Sequence, residues 1–157
     1  MATLNQILSN PEWVPHQVDQ SGEKMLFVRF TRDEMNEHEV LANQTGKEQQ
    51  WVSIKDLHGA PLQTGPVSFI FHSGFCRSTL LLRALVVEGK VLGLNEPEIF
   101  NSLSRLTDPS DQLIALVIDL LSRAHSAEEA IVIKPSNFQN RLIPKIMETR
   151  QDIQAIL

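Results

Sequence analysis

The chain has 157 residues, the length of one ordinary domain, and is 42% hydrophobic and 21% charged. That balance is globular and excludes collagen-like and disordered chains. With 14 Lys/Arg against 19 Asp/Glu the net charge is −5; this argues against a basic nucleic-acid binder but not against a local pocket for a small anion. The single cysteine excludes an intramolecular disulfide framework and a multi-cysteine zinc site, and no apolar run reaches transmembrane length. The expectation is a soluble cytoplasmic protein with no membrane or nucleic-acid partner and no metal.

Charge divides the chain unevenly. Residues 1–65 carry 5 Lys/Arg and 9 Asp/Glu, residues 66–157 carry 9 and 10. The break falls in the turn-prone run from His58 to Pro66, which predicts an N-terminal appendage (1–65) before a main unit (66–157). In the appendage the pattern predicts a short helix over Thr3–Leu8 and a loop around Pro11 and Pro15. A strand is predicted over Met25–Phe30. A helix capped by Thr31 or Asp33 should run to about Ala42, its charged run Arg32–Glu39 forming a solvated face, and a strand should cover Trp51–Ile54. Trp13 and Trp51 read as packing residues rather than ligand platforms.

From Pro66 the rhythm changes. Val67–Phe71 is a short apolar run entered from a turn, hence a buried strand. A helix over Ser78–Glu88 follows, then a strand over Val91–Leu94. Pro97 suits the first turn of a helix reaching Leu106, and Asp108-Pro-Ser110 opens another to about Ala124. Ala130–Lys134 is a third strand. Gln139–Arg150 is a helix that Pro144 should bend or restart, and Ile153–Leu157 is a fourth strand. This alternation predicts an α/β unit: a parallel sheet with helices on both faces, three layers in all, behind a small α+β appendage. The last strand has no helix after it, whereas a parallel strand buries both faces. The expectation is that the unit is an excerpt lacking its C-terminal part; the alternative is a homodimer paired through that strand.

The stretch Phe69-Ile-Phe-His-Ser-Gly-Phe-Cys-Arg-Ser-Thr-Leu-Leu-Leu82 carries the chemistry. A buried strand runs through a loop into a helix that opens with Arg77, Ser78 and Thr79. Unpaired N–H groups and the helix dipole there suit a phosphate or sulfate. Arg77 adds a cationic fork, Ser78 and Thr79 add hydroxyls, and Gly74 permits close approach. Read without a ligand, the same stretch is a strand-to-helix turn with a capping serine. Against the pattern GxxxxGK[ST] only Ser78 fits: Phe71 and Cys76 stand at the glycines and Arg77 at the lysine. A triphosphatase also needs a metal-holding Asp at a strand end. Asp119 follows an apolar run, but Leu113, Leu116, Val117, Leu120 and Leu121 repeat at helical spacing. Cys76 has no base in view, and a C-x5-R phosphatase loop is absent.

Gly74-Phe-Cys-Arg-Ser-Thr-Leu-Leu81 resembles the loop G-x-P-R-S-G-T-T-L-L of the sulfotransferase-like branch of P-loop proteins, with Cys76 in place of Pro and one Gly missing. Two further positions match in order. Val91–Ile99 contains Glu96 just after the second strand, where members of that family carry a glutamate base. Ile131-Val-Ile-Lys-Pro135 supplies a Lys, followed by Pro, at the end of the third strand. The resemblance spans about Val67 to Leu157 and implies a P-loop-like sheet using 3′-phosphoadenosine 5′-phosphosulfate as co-substrate. By that resemblance Ser73, Gly74, Phe75, Cys76, Arg77, Ser78 and Thr79 hold its phosphosulfate. Lys134 and Arg77 stabilise the leaving oxygen, and Glu96 deprotonates an acceptor hydroxyl or amine. The partners implied are that nucleotide donor and a small-molecule acceptor.

Each residue also has a plainer reading. Glu96 can be an acidic residue favoured near a helix start, with Glu98 as second choice of base. Lys134 can be a strand-end lysine reaching solvent. Ser136 suits an anion or a cap equally, Asn95 and Asn137 flank the rim, and His72 reads as satisfying a loop carbonyl rather than as a base. The rival functions are a P-loop nucleotide kinase or NTPase with a degenerate phosphate loop, and a non-catalytic interaction domain that keeps the fold.

Overall fold

The structure, a computed structural model, describes residues 2–36, 41 and 47–156. An antiparallel sheet runs β1 (Trp13–Val18), β2 (Lys24–Arg29), β3 (Gln49–Ser53). A second sheet is all-parallel: β4 (Val67–Ile70), β5 (Val91–Asn95), β6 (Ala130–Lys134) and β7 (Gln154–Ile156), in the spatial order β5-β6-β4-β7. Around them lie α1 (Leu4–Ser9), α2 (Arg32–Asn36), α3 (Ile54–Leu57), α4 (Ser78–Leu85), α5 (Ile99–Arg105), α6 (Asp111–Leu121) and α7 (Ile143–Thr149). None of these helices is long and apolar enough to cross a membrane.

The predicted elements of the main unit are all present, with shifted ends. α4 stops at Leu85 because Val86 is extended and the chain folds back at once, the Val87 N–H donating to the Val91 carbonyl at 3.2 Å with Gly89 at φ 71°. Pro144 acts as a restart: Asn137–Leu142 form a 3-10 turn and α7 begins with Pro144 in its first turn. The expected loop at Pro15 is instead part of β1. That strand is outermost in its sheet, and its register slips between Pro15 and Gln17; edge strands and bulges are where a proline is tolerated. The helix predicted to Ala42 starts at Arg32, with Thr31 and Glu34 capping each other; positions 37–40 and 42–46 lie outside the described residues.

The two parts of the chain share one core. Val14 and Phe27 of the first sheet belong to the same buried cluster as Phe69, Phe100, Val117 and Ile133. At the seam Arg123, only 3% exposed, donates to the carbonyls of Leu120 (2.8 Å), Ile7 (2.6 Å) and Trp13. Burial lowers its pKa to about 10, yet the carbonyl dipoles of α1 and β1 keep it hydrogen-bonded.

Helices cover both faces of the parallel sheet unequally. Phe69, Leu92, Leu94, Ile131 and Ile133 face the main core together with α5, α6 and α7. Ile70 and Val132 on the other face pack on Leu82 of α4. That approach is close: a Cβ on Gly93 would lie 2.7 Å from Val86 and 3.1 Å from Leu82. The chain therefore leaves the neighbouring strands β4 and β6 toward opposite faces. Such divergence opens a crevice at the carboxyl ends of a parallel sheet, where ligands bind in open α/β folds.

Candidate functional site

The crevice holds a cavity of about 350 Å³. Gly74 to Thr79 form one wall; Glu96, Lys134, Asn137, Phe138 and His72 line the rest. Two larger concavities, about 640 and 550 Å³, lie along the first sheet. Trp13 lines the first and is buried, as a packing residue should be; Trp51 lines the second and is half exposed, so it packs less than expected. Volume does not select the site; the convergence of cations and hydroxyls at the strand ends does.

Parallel pairing sets its centre. Asn95 stands opposite Lys134 across β5 and β6, which puts both side chains on one face. The Lys134 ammonium, on a side chain 1% exposed, donates to Asn95 Oδ1 at 3.2 Å and Glu96 Oε1 at 2.7 Å. Its third hydrogen has no acceptor among the described residues. The Glu96 carboxylate is 30% exposed, so one end of this ion pair is dry and the other wet. The Glu96 N–H also donates to the Lys134 carbonyl at 2.7 Å. Lys134 thus turns into the cavity instead of reaching for solvent.

The loop after β4 is held in an unusual shape. Phe75 (φ 60°), Arg77 (φ 60°) and Glu96 (φ 51°) are the non-glycine residues with left-handed backbone among the described residues, and all three line this cavity. Such conformations cost about 1–3 kcal/mol each and cluster at functional sites. Gly74, by contrast, does not supply the expected freedom. Its φ is not positive, and a Cβ there would meet only Asn137 Nδ2, at an ordinary 3.7 Å. The conformational burden falls on the next residue.

Arg77 precedes α4 and its guanidinium makes no hydrogen bond or ion pair with a described residue. Leu80 and Leu81 N–H groups return to the Arg77 carbonyl, leaving those of Ser78 and Thr79 at the cavity wall. His72 places Nδ1 2.9 Å from the Ser73 carbonyl and Nε2 3.1 Å from that of Pro135, while Asn140 donates to the His72 carbonyl at 2.9 Å. It ties the loop to the end of β6, as its loop-satisfying reading expects.

Not every predicted residue arrives. Ser73 is exposed and does not line the cavity. Glu98 begins α5 and accepts from Asn101 at 2.7 Å, away from the cavity. Ser136 precedes the 3-10 turn without a side-chain cap and lies outside the lining. Asp119 is on α6, paired with Arg150. Cys76 is exposed on the rim. Phe138, 83% exposed at the mouth, had no signal in the sequence, being one apolar residue on a short turn. No protein-family model, curated protein or solved structure matches the chain.

Proposed function

We propose that the chain is a P-loop, sulfotransferase-like domain that binds 3′-phosphoadenosine 5′-phosphosulfate and transfers its sulfuryl group to an acceptor hydroxyl or amine. The observation that carries the reading is the gathering of Arg77, Ser78, Glu96 and Lys134, drawn from three separate strand ends, onto one cavity. The donor set fits a phosphosulfate: a guanidinium with no partner among the described residues, helix-start N–H groups, hydroxyls and a buried ammonium with one hydrogen unpaired among them.

Sulfuryl transfer needs positioning and charge stabilisation rather than a covalent enzyme intermediate. Arg77 and the Ser78 and Thr79 N–H groups hold the anionic oxygens. Glu96 accepts the acceptor's proton through Oε2, the oxygen Lys134 does not engage. As the acceptor oxygen bonds to sulfur, the bond from sulfur to the bridging oxygen breaks. Lys134 and Arg77 meet the charge that collects on the bridging oxygen, and 3′,5′-adenosine bisphosphate leaves. The kinase reading is weaker, because Asp119, its candidate metal-holding carboxylate, is on a helix in an ion pair.

The test is stabilisation by ligand, since whatever binds only the folded state raises the melting temperature. The bisphosphate should raise it and Arg77→Ala should abolish the rise. In an assay with labelled donor, Glu96→Gln should remove turnover and leave bisphosphate affinity within about threefold, the split expected of a proton acceptor. A shift with ATP and magnesium but none with the bisphosphate would overturn the assignment in favour of a kinase.

A further inference from the structure

His72 follows β4 and lines the cavity. Both of its ring nitrogens face carbonyl oxygens: Nδ1 is 2.9 Å from that of Ser73 and Nε2 is 3.1 Å from that of Pro135. A carbonyl oxygen only accepts. A neutral imidazole donates from one nitrogen and carries a lone pair on the other, so it satisfies one of these carbonyls and repels the second. An imidazolium donates from both nitrogens. The geometry is that of the charged ring, and in that state His72 has no site to take a proton from an acceptor.

The ring joins the two strand ends that carry the cations. Ser73 belongs to the loop leading to Arg77, and Pro135 directly follows Lys134. Asn140 donates to the His72 carbonyl at 2.9 Å, so the main chain at His72 is held whatever the ring's charge. The other ionisable groups on the cavity wall are Cys76 and Arg77 from the loop after β4, Glu96 from the end of β5 and Lys134 from the end of β6; the 3-10 turn adds the uncharged Asn137 and Phe138. Lys134 is already paired with Glu96 at 2.7 Å. With His72 charged, two positive groups, His72 and Arg77, are left for a ligand; with His72 neutral, Arg77 alone remains.

We propose that His72 is a protonated anion-binding residue of this cavity, whose imidazolium adds a second positive charge and ties the loop to the end of β6, so that the site takes up anion and proton together. The proposal rests on the anion-binding reading above and adds its regulation: affinity falls as rising pH strips the proton from the ring. By linkage, a bound anion must hold that proton on His72.

Inorganic sulfate is the probe, because it stays a dianion across the range in which imidazole titrates, about pH 5 to 8. In calorimetric titrations on the two sides of that range, the native protein should bind sulfate at least about fivefold more tightly at the lower pH, the scale of one unit charge near a protein surface. His72→Gln keeps a donor but no charge, and at both pH values its affinity should lie within about twofold of the native protein's at the higher pH. The variant retains Cys76, Arg77, Glu96 and Lys134, so the difference in slope belongs to the ring. Nitrogen NMR of the native imidazole gives a second reading that needs no variant: both nitrogens should be protonated in the sulfate complex at the lower pH, and sulfate should keep them so to a higher pH than in the free protein. A pH dependence that persists in His72→Gln, or a ring with one bare nitrogen in the sulfate complex at the lower pH, overturns the proposal; the anion site itself stands if Arg77→Ala abolishes sulfate binding. Absence of sulfate binding at both pH values overturns it together with the anion-binding reading.

Discussion

The Lys134–Glu96 pair predicts an asymmetry that ordinary surface ion pairs lack. The ammonium end is 1% exposed and the carboxylate end 30%. Glu96→Ala removes the solvated partner and strands a buried charge with only Asn95 at 3.2 Å. Stranding a buried charge costs about 3–5 kcal/mol; with Asn95 still bonded, about 3 kcal/mol is expected here. Lys134→Met removes the buried charge, fills its channel with a chain of similar length, and leaves a carboxylate that water can reach. Its cost should be about 1 kcal/mol, in the range of volume-conserving buried swaps. The double variant should then resemble Lys134→Met alone, because no charge remains to strand, giving a coupling of about 2–3 kcal/mol. Urea denaturation at pH 7 with unchanged m-values measures all four corners. Should Lys134→Met prove the costlier single substitution, or the cycle close without coupling, the account of a dry ammonium held by a wet carboxylate is wrong.

Three further expectations concern stability. Arg123→Met should cost about 3 kcal/mol, since it orphans the Ile7 and Trp13 carbonyls while relieving a buried charge; hydrogen exchange should quicken across residues 7–18, and protection equal to the native protein's would refute the seam role. Gly65→Ala should cost about 2 kcal/mol or more by crowding, because its Cβ would fall 1.9 Å from the Glu129 carbonyl oxygen; a melting temperature within a degree of native would refute it. His16 is buried with both ring nitrogens unpartnered, and burial lowers its pKa below the ordinary 6.5, against a weaker upward pull from Glu98. The unfolded chain therefore takes up the proton first, so stability falls as pH drops below about 6.5 and is restored above it. His16→Phe should flatten that acid limb in pH-dependent urea titrations, while His125, lowered in the same direction, leaves a residual slope; an unaltered slope would refute it.

What was legible in the sequence was whatever a local pattern can encode. Apolar runs ending in a polar residue located β4, β5 and β6, and the same edges placed Arg77, Glu96 and Lys134 at one end of the sheet. Contacts between distant segments had no such pattern. Arg123 falls within the helix expected to about Ala124, where nothing local sets it apart; only the docking of α1 and β1 makes it a buried hub. Pro15 read as a loop because the edge position that tolerates it is a property of the sheet. Glu96 reads ahead of Glu98 as the base, and the left-handed turn at Glu96 takes one carboxylate to Lys134 while the other accepts from Asn101.

That left-handed backbone bears on function by itself. Glycine would adopt the geometry of Phe75 and Glu96 at no steric cost, so a loop shaped only for stability would place glycine there. If the side chains are retained for the ligand, stability and binding should part company. Phe75→Gly loses no core contact, because its ring is fully exposed. It should gain up to about 1 kcal/mol, the relief of a left-handed side chain less the extra entropy of glycine in the unfolded chain. The same substitution should weaken binding of 3′,5′-adenosine bisphosphate, because Phe75 lines the cavity. Glu96→Gly gains the same relief but strands Lys134, so it should be less stable than native and yet more stable than Glu96→Ala. Denaturation of the three variants side by side reads the strain and the ion pair separately. A Phe75→Gly protein less stable than native would mean that the ring supports the loop, and the case for a ligand-facing phenylalanine would lose its footing.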